Sequence, residues 1–180
     1  MSDILDQVDQ GEDFFDDADL ANPEPLPVGV RYIGVATVDG KMAEIGNFRK
    51  IEGKLAEALA KKGDFRAELP QITVNITALG LAGQPKGFPE DKNYLRSTKQ
   101  DYMVGKPDKI GRNALARLVR DAAGMSDDEL KATPLREAAK KLDKCFLTFE
   151  VVHVEGKQGG KFQNPVKIKA ATAEEVALVA

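Results

Sequence analysis

Alternation of apolar and polar residues is the feature that most constrains this fold. Residues 28–38 are rich in Val and Ile, residues 68–79 alternate Ile and Val with Thr and Asn, and residues 145–152 alternate in the same way. A period of two is typical of strands that bury one face. These three stretches therefore predict strands in a mainly β structure.

Turn residues predict two further strands. The Asp39-Gly40 pair is typical of a tight hairpin, which predicts a return strand over residues 41–48. The glycine-rich and lysine-rich residues 155–161 predict a second hairpin, whose return strand covers about residues 162–169. The sequence thus predicts five strands.

Helical spacing occurs between the strands. Residues 50–62 predict a short helix, and residues 108–124 predict a longer one, with Asp108 as its cap and Gly124 at its end. Ser126 and Glu129 have the spacing of a capping box, and residues 133–142 predict another helical piece. The glycine-rich and proline-rich residues between 80 and 107 predict a long loop.

This order predicts an α+β, mainly β fold. The expected architecture is a five-stranded OB-like barrel with helices inserted between strands 3 and 4. The OB-fold binds oligonucleotides on the face of strands two and three. Three parts are expected along the chain: an acidic tail and proline-rich linker over 1–27, an OB-like nucleic-acid-binding domain over 28–170, and a C-terminal tail over 171–180.

The charge of the chain is strongly asymmetric. Of its 29 acidic residues, nine lie in residues 1–25, which contain no Lys or Arg. The rest of the chain therefore has 20 acidic residues against 26 basic ones. One interpretation is a solvated, disordered tail; the other is a tail that competes with nucleic acid or recruits partners. Phe14 and Phe15, set between acids, predict a partner-docking peptide within it.

Composition argues against an enzyme and against an oxidising compartment. Cys145 is the only cysteine and His153 the only histidine, so an internal disulfide or a Cys/His zinc site is not possible. The sequence has no apolar run long enough for a membrane helix and no phosphate-binding glycine motif. We expect a cytoplasmic protein without catalytic residues, cofactors or membrane contact.

A basic segment with interleaved aromatic residues predicts nucleic-acid binding. Cations contact phosphates, and aromatic faces stack on bases. The candidates between 86 and 112 are Lys86, Phe88, Lys92, Tyr94, Arg96, Lys99, Tyr102, Lys106, Lys109 and Arg112. The final hairpin adds Lys157, Lys161 and Phe162. For Tyr94 and Tyr102, an equally open alternative is that the rings anchor the loop on the core.

Three segments resemble a family of phage proteins encoded among replication and recombination genes. They are Pro25-Leu-Pro-Val-Gly-Val-Arg-Tyr32, Lys109-Ile-Gly-Arg-Asn-Ala-Leu-Ala-Arg-Leu-Val-Arg-Asp-Ala-Ala-Gly124, and Leu142-Asp-Lys-Cys-Phe-Leu-Thr-Phe-Glu-Val151 with Phe162-Gln-Asn-Pro-Val-Lys-Ile-Lys169. The resemblance implies an OB-like fold and single-stranded DNA binding in a bacterial host. It departs over residues 50–66, where this chain has a helix-like insertion.

Two function classes follow from these expectations. The first is a protein that coats single-stranded DNA in phage replication or recombination, by phosphate electrostatics and base stacking. The second is a phage adaptor or inhibitor whose acidic N-terminal tail engages a replication or recombination protein of the phage or its host. Whether the chain forms a homodimer is left open.

Overall fold

The described part of the fold consists of a six-stranded antiparallel sheet, a parallel pair of two-residue strands, and short helices. The structure, a computed structural model, describes residues 23–38, 47–85, 87–88, 92–156 and 161–179. The strands are β1 Glu24–Pro25, β2 Tyr32–Thr37, β3 Asn47–Lys50, β4 Glu68–Leu81, β5 Tyr94–Leu95, β6 Ser97–Met103, β7 Phe146–Glu155 and β8 Lys161–Ala170. The helices are α1 Gly53–Ala60, α2 Ile110–Ala123, α3 Asp127–Ala132, α4 Leu135–Lys140 and α5 Ala173–Val179.

Strand β4 is the centre of the sheet, because its 14 residues pair with three other strands. Residues 75–77 of β4 pair with both β2 and β6, so these two strands lie on opposite edges. β3 also pairs with β4, on the edge that β2 occupies. The second edge of β2 pairs with β7, and β7 pairs with β8. The order across the sheet is therefore β6, β4, β2, β7, β8, with antiparallel neighbours throughout.

The sheet is not a closed barrel, contrary to the expectation from the sequence. β6 and β8 form its two ends, and the described residues contain no backbone pairing between them. One apolar core lies on the inner face. Its largest wholly buried members include Tyr32, Ile76, Leu147 and Phe149.

The predicted loop over residues 80–107 is wrong in its second half, which forms β5 and β6. β6 is an edge strand of mostly polar residues, so it carries no apolar run for the sequence to show. Its alternation is nevertheless real, since Thr98 and Tyr102 are buried while Ser97 and Lys99 are exposed.

The sequence predicted that the strand following β2 pairs with β2 as a hairpin, and this prediction is wrong. The turn at residues 39–40 and most of the expected return strand lie outside the described residues. The strand that follows, β3, pairs with β4 rather than with β2. Because both β2 and β3 pair antiparallel with β4, they run in the same direction. The second and third long strands of the sheet are therefore β4 and β6.

The helices between β6 and β7 confirm the sequence expectation, except that Asp108 is not the N-cap of α2. That position is Lys109, whose φ of 56° lies in the left-handed region. Asp108 accepts a hydrogen bond from the backbone N–H of Ile110 (3.1 Å), and Gly124 ends α2 with a φ of 71°. The capping box of Ser126 and Glu129 at the start of α3 is present. The buried face of α2 is formed by Leu115, Leu118 and Val119.

Glycine is required where α2 begins. A Cβ atom at Gly111 would lie 2.3 Å from the carbonyl oxygen of Met103 and 3.0–3.1 Å from two other backbone atoms of Met103. Met103 ends β6, so the first turn of α2 contacts the end of that strand directly. This close approach explains the Ile-Gly-Arg sequence at the helix start in physical terms.

We predict that Gly111→Ala destabilises the fold. In an unconstrained helix this change would stabilise by up to about 1 kcal/mol. Here the steric conflict with a backbone carbonyl costs about 1–3 kcal/mol, so we expect a net loss of free energy of unfolding. Urea denaturation measures it. The control Asn113→Ala, on the exposed side of the same helix, should be neutral or slightly stabilising; equal gains for both variants would contradict the close approach.

The segment before β2 is part of the fold rather than a free linker. The side chain of Leu26 is wholly buried, and both of its backbone groups are bonded: its N–H to Gln163 Oε1 (2.8 Å) and its carbonyl oxygen to His153 Nε2 (2.8 Å). β1 pairs in parallel with β5. Extended backbone is expected beside prolines, but the burial of Leu26 is not. The acidic residues 1–22, including Phe14 and Phe15, lie outside the described residues.

The Gln163 side chain makes three hydrogen bonds, one of them to this segment. Besides accepting from Leu26, its Nε2 atom donates to the carbonyl oxygens of Leu95 (2.5 Å) and Ser97 (3.3 Å). The Gln163 side chain itself is buried. Gln163 therefore links β8 to the segment that contains β5 and β6, where the sheet has no backbone pairing.

We predict that Gln163→Ala lowers the free energy of unfolding by about 2 kcal/mol or more. The change leaves the N–H of Leu26 buried without its partner, and an unsatisfied buried polar group costs about 1–3 kcal/mol. Urea denaturation is the measurement, with Asn164→Ala as the control because the neighbouring side chain is exposed. Similar losses in both variants would contradict the role assigned to the Gln163 amide.

At the C-terminus, residues expected to be frayed or loosely helical form α5. Its start has reciprocal bonds between Thr172 and Glu175, and Val179 is buried near its end. The side chain of Val179 therefore packs in the fold.

Candidate nucleic-acid interface

A groove of about 570 Å³ lies between the outer surface of β4 and β6 and the end of the β7–β8 hairpin. Its lining includes Asn75 of β4, Leu95 of β5, Lys99 of β6, Val154 of β7 and Phe162 of β8. The groove thus combines residues from five strands. It contains both an exposed aromatic ring and an exposed cation from the predicted set.

The hairpin provides the apolar wall of this groove. Phe162 lies opposite Val154 in the β7–β8 register, and its side chain is 58% exposed. β7 is buried or half-buried from Phe146 to Val151, whereas residues 152–155 are all exposed, so the hairpin extends beyond the core. A ring in this position can stack on a base without leaving a packed site.

The sheet provides the polar wall. Lys99 is exposed and lies opposite Asn75 in the β4–β6 register. The next acid along β6, Asp101, accepts a hydrogen bond from Thr73 Oγ1 (2.6 Å). Glu155 also lines the groove, so the groove contains a carboxylate as well as the Lys99 ammonium. The Lys99 ammonium and the Asn75 amide can donate hydrogen bonds to a phosphate or a base edge.

Three other predicted residues form an aromatic cluster that anchors the segment before β6. Tyr94 is buried, and its ring centroid lies 5.6 Å from that of Phe88, which in turn lies 6.3 Å from Tyr32. The guanidinium carbon of Arg96 lies 4.8 Å from the centre of the Phe88 ring, a cation–π contact. For Tyr94, the arrangement matches the anchoring alternative, since a buried ring offers no face to a base.

Tyr102 is likewise part of the core, with 8% of its surface exposed. Burial raises the pKa of its phenol to about 12. The neutral phenol is therefore favoured in the folded state, and its contribution to stability is complete below the ordinary pKa of 10 and is lost as pH rises towards 12. The anchoring alternative also matches this residue.

We predict that Tyr102 ionises near pH 12 in the folded protein. The change in absorbance at 295 nm with pH should be compared between the unaltered chain and Tyr102→Phe, which removes only the hydroxyl group. Their difference isolates one phenol and should have its midpoint near pH 12. A midpoint near pH 10 would show an exposed ring and would restore Tyr102 as a stacking candidate.

The remaining basic candidates whose side chains the structure describes lie outside the groove. Lys92 is 3.8 Å from Glu24, and Lys106 is 3.7 Å from Asp108. Lys109 and Arg112 are exposed where α2 begins. Lys86 and Lys157 lie outside the described residues, and of Lys161 only the backbone, in β8, is described. The structure thus brings together Lys99 and Phe162 and does not bring the other described candidates into this groove.

Two exposed phenylalanines were missed by the sequence analysis. Phe65 is 81% exposed in the insertion between α1 and β4, and Phe48 is also exposed, on β3. The adjacent pairs Phe48-Arg49 and Phe65-Arg66 combine a ring and a cation, which is the pattern that could have identified them. Arg66 is bonded to Asp64 and to the carbonyl oxygen of Gly105. Neither ring lines the groove of Phe162.

No group of three or more His, Cys, Asp or Glu side chains in the described part of the chain is placed to hold a metal ion. Among the same residues, none of the helices has the length and apolar character needed to cross a bilayer. Neither a protein-family model nor a curated protein sequence matches the chain. The resemblance to phage proteins therefore stays a prediction.

Proposed function

We propose that this chain binds single-stranded DNA in the groove between the β4–β6 surface and the β7–β8 hairpin. The observation that carries the proposal is the pairing of exposed Phe162 with exposed Lys99 across one groove. A single strand presents phosphates along its backbone and unpaired bases beside them. A cation and an aromatic face at one site suit both parts of that ligand.

The connectivity of the sheet supports this proposal. Numbering the long strands in chain order as β2, β4, β6, β7 and β8, the sheet has the order 3-2-1-4-5, with helices between the third and fourth. We propose that this is an OB-like fold left open between its third and fifth strands. OB-folds bind oligonucleotides on the face of strands two and three and beside the loop between strands four and five. The groove lies in that position.

Charge supports binding without strong sequence preference. The chain beyond residue 25 has six more basic than acidic residues. Contacts to phosphates release bound cations, so affinity should fall steeply as salt rises.

The cellular setting implied by the sequence resemblance is coating of single strands in phage replication or recombination. The adaptor alternative depends on residues 1–22, which lie outside the described residues.

We predict that Phe162→Ala weakens binding of a labelled 30-base oligo-dT by about 5-fold or more. Loss of one base stack costs about 1–3 kcal/mol, and 1.4 kcal/mol corresponds to a tenfold change in affinity. Fluorescence anisotropy is the measurement. Phe65→Ala is the matched control, because it removes an exposed ring outside the groove and should leave affinity unchanged.

The same titration at several salt concentrations tests Lys99. Lys99→Gln should reduce the slope of log affinity against log salt by about 0.7, the value for one phosphate contact on a single strand. Lys131→Gln, which changes an exposed lysine on α3, should leave that slope unchanged.

A chain shortened by residues 1–22 keeps the docked Leu26 and should still bind oligo-dT. Absence of binding by either form at low salt, or equal losses for Phe162→Ala and Phe65→Ala, would contradict the proposal.

A further inference from the structure

The open side of the sheet forms a second groove, distinct from that of Phe162. β6 and β8 are the end strands, and the register of their neighbours makes them run in the same direction. The Gln163 side chain joins the two strands at one end. Beyond it, α2 lies beside both strands and a groove of about 690 Å³ separates them. We call this groove the seam.

The seam exposes strand edges. Within the described residues, β6 pairs only with β4, and β8 pairs only with β7. The backbone groups on the opposite edge of each strand therefore have no ladder partner. One such carbonyl oxygen, that of Asp101, is bonded by a side chain instead, Gln100 Nε2 (3.1 Å). A free edge of this kind is a template for pairing with another chain.

β8 is irregular where it lines the seam. The β7–β8 register shifts between Thr148 and Glu150, and Lys167 has a φ of 51°, in the left-handed region. A bulge bends the strand that carries it and interrupts regular pairing. This bulge lies in the part of β8 that faces the seam, and α2 contacts both β6 and β8.

The lining of the seam has an apolar floor and a basic rim. The floor includes Tyr102, Leu118 and Ile168, which are buried or half-buried. The rim consists of Arg117, Lys167 and Lys169, all exposed. The acid at the rim, Asp121, is bonded to Arg120 (2.9 Å), and Lys167 lies 3.1 Å from Glu150. Arg117 and Lys169 have no ion pair within the described residues.

We propose that the seam binds an extended acidic peptide of a partner protein, which adds a strand beside β6 or β8. A strand edge presents alternating N–H donors and carbonyl acceptors, and another peptide backbone satisfies both. A nucleic-acid backbone offers phosphate acceptors, which would leave the carbonyl groups unmatched. The basic rim selects acidic side chains on one face of the added strand, and the apolar floor accepts aliphatic side chains on the other.

The test follows the backbone amide signals of the ¹⁵N-labelled full chain by NMR during titration with acetyl-(Asp-Val)₄-amide. The signals of residues 98–102 and 166–170 should shift, and those beside Phe162 should not. The control peptide acetyl-(Lys-Val)₄-amide should cause no shift at the seam. Arg117→Gln combined with Lys169→Gln should weaken binding of the acidic peptide at least 5-fold, whereas Lys54→Gln combined with Lys131→Gln should not.

Each other outcome would overturn this proposal. No shift at the seam with the acidic peptide, or equal shifts with the basic peptide, would show that the edges do not bind as described. Shifts of the seam signals caused by oligo-dT would assign the seam to nucleic acid. Shifts caused by removing residues 1–22 would assign it to the chain's own acidic segment. Because oligo-dT binding is measured at Phe162, failure here leaves the test of DNA binding independent.

Discussion

The hydrogen bonds of the Gln163 amide are the constraint on which the rest of the structure depends. An open sheet has two end strands, which must be held near each other if both are to cover one core. Here no backbone ladder does so within the described residues. One buried amide accepts from Leu26 and donates to Leu95 and Ser97, and so ties three chain segments together. Each of these backbone groups would otherwise be costly to bury.

This arrangement decides how the aromatic residues are used. Once Leu26 is held, the hydroxyl of Tyr32 donates to the carbonyl oxygen of Pro27 (2.7 Å), and the Tyr32 ring packs between Phe88 and Phe149. Phe88 in turn contacts Tyr94. Rings that fill the core in this way cannot also stack on bases. The residue next to Gln163, Phe162, faces the other side of β8 and is free to do so, since successive side chains of a strand point in opposite directions.

The sequence predicted those parts of the fold that carry a strong local pattern. Strands β2, β4 and β7 alternate, and β8 follows a glycine-rich turn. Gly124 at the end of α2 and the capping box of α3 are recognisable, so the positions of these elements were close to those observed. β6 was missed because an edge strand can be polar on both faces, and the docking of Leu26 was missed because its partners lie 127 and 137 residues away. Composition placed Lys99 and Phe162 among the candidates for nucleic-acid binding. It could not separate them from buried Tyr94 and Tyr102, because burial also depends on residues that are distant in the sequence.

The two grooves differ because they occupy different parts of the same open sheet. Near Gln163 the end strands are joined, so a ligand there meets side chains, and the exposed ring and cation determine what it can be. Past the bulge at Lys167 the strands separate, so a ligand there meets backbone edges, and only another backbone satisfies donors and acceptors together. An acidic strand in the seam would also neutralise Arg117 and Lys169. Because phosphate binding depends on the total positive potential, such a partner should lower affinity for DNA without touching Phe162.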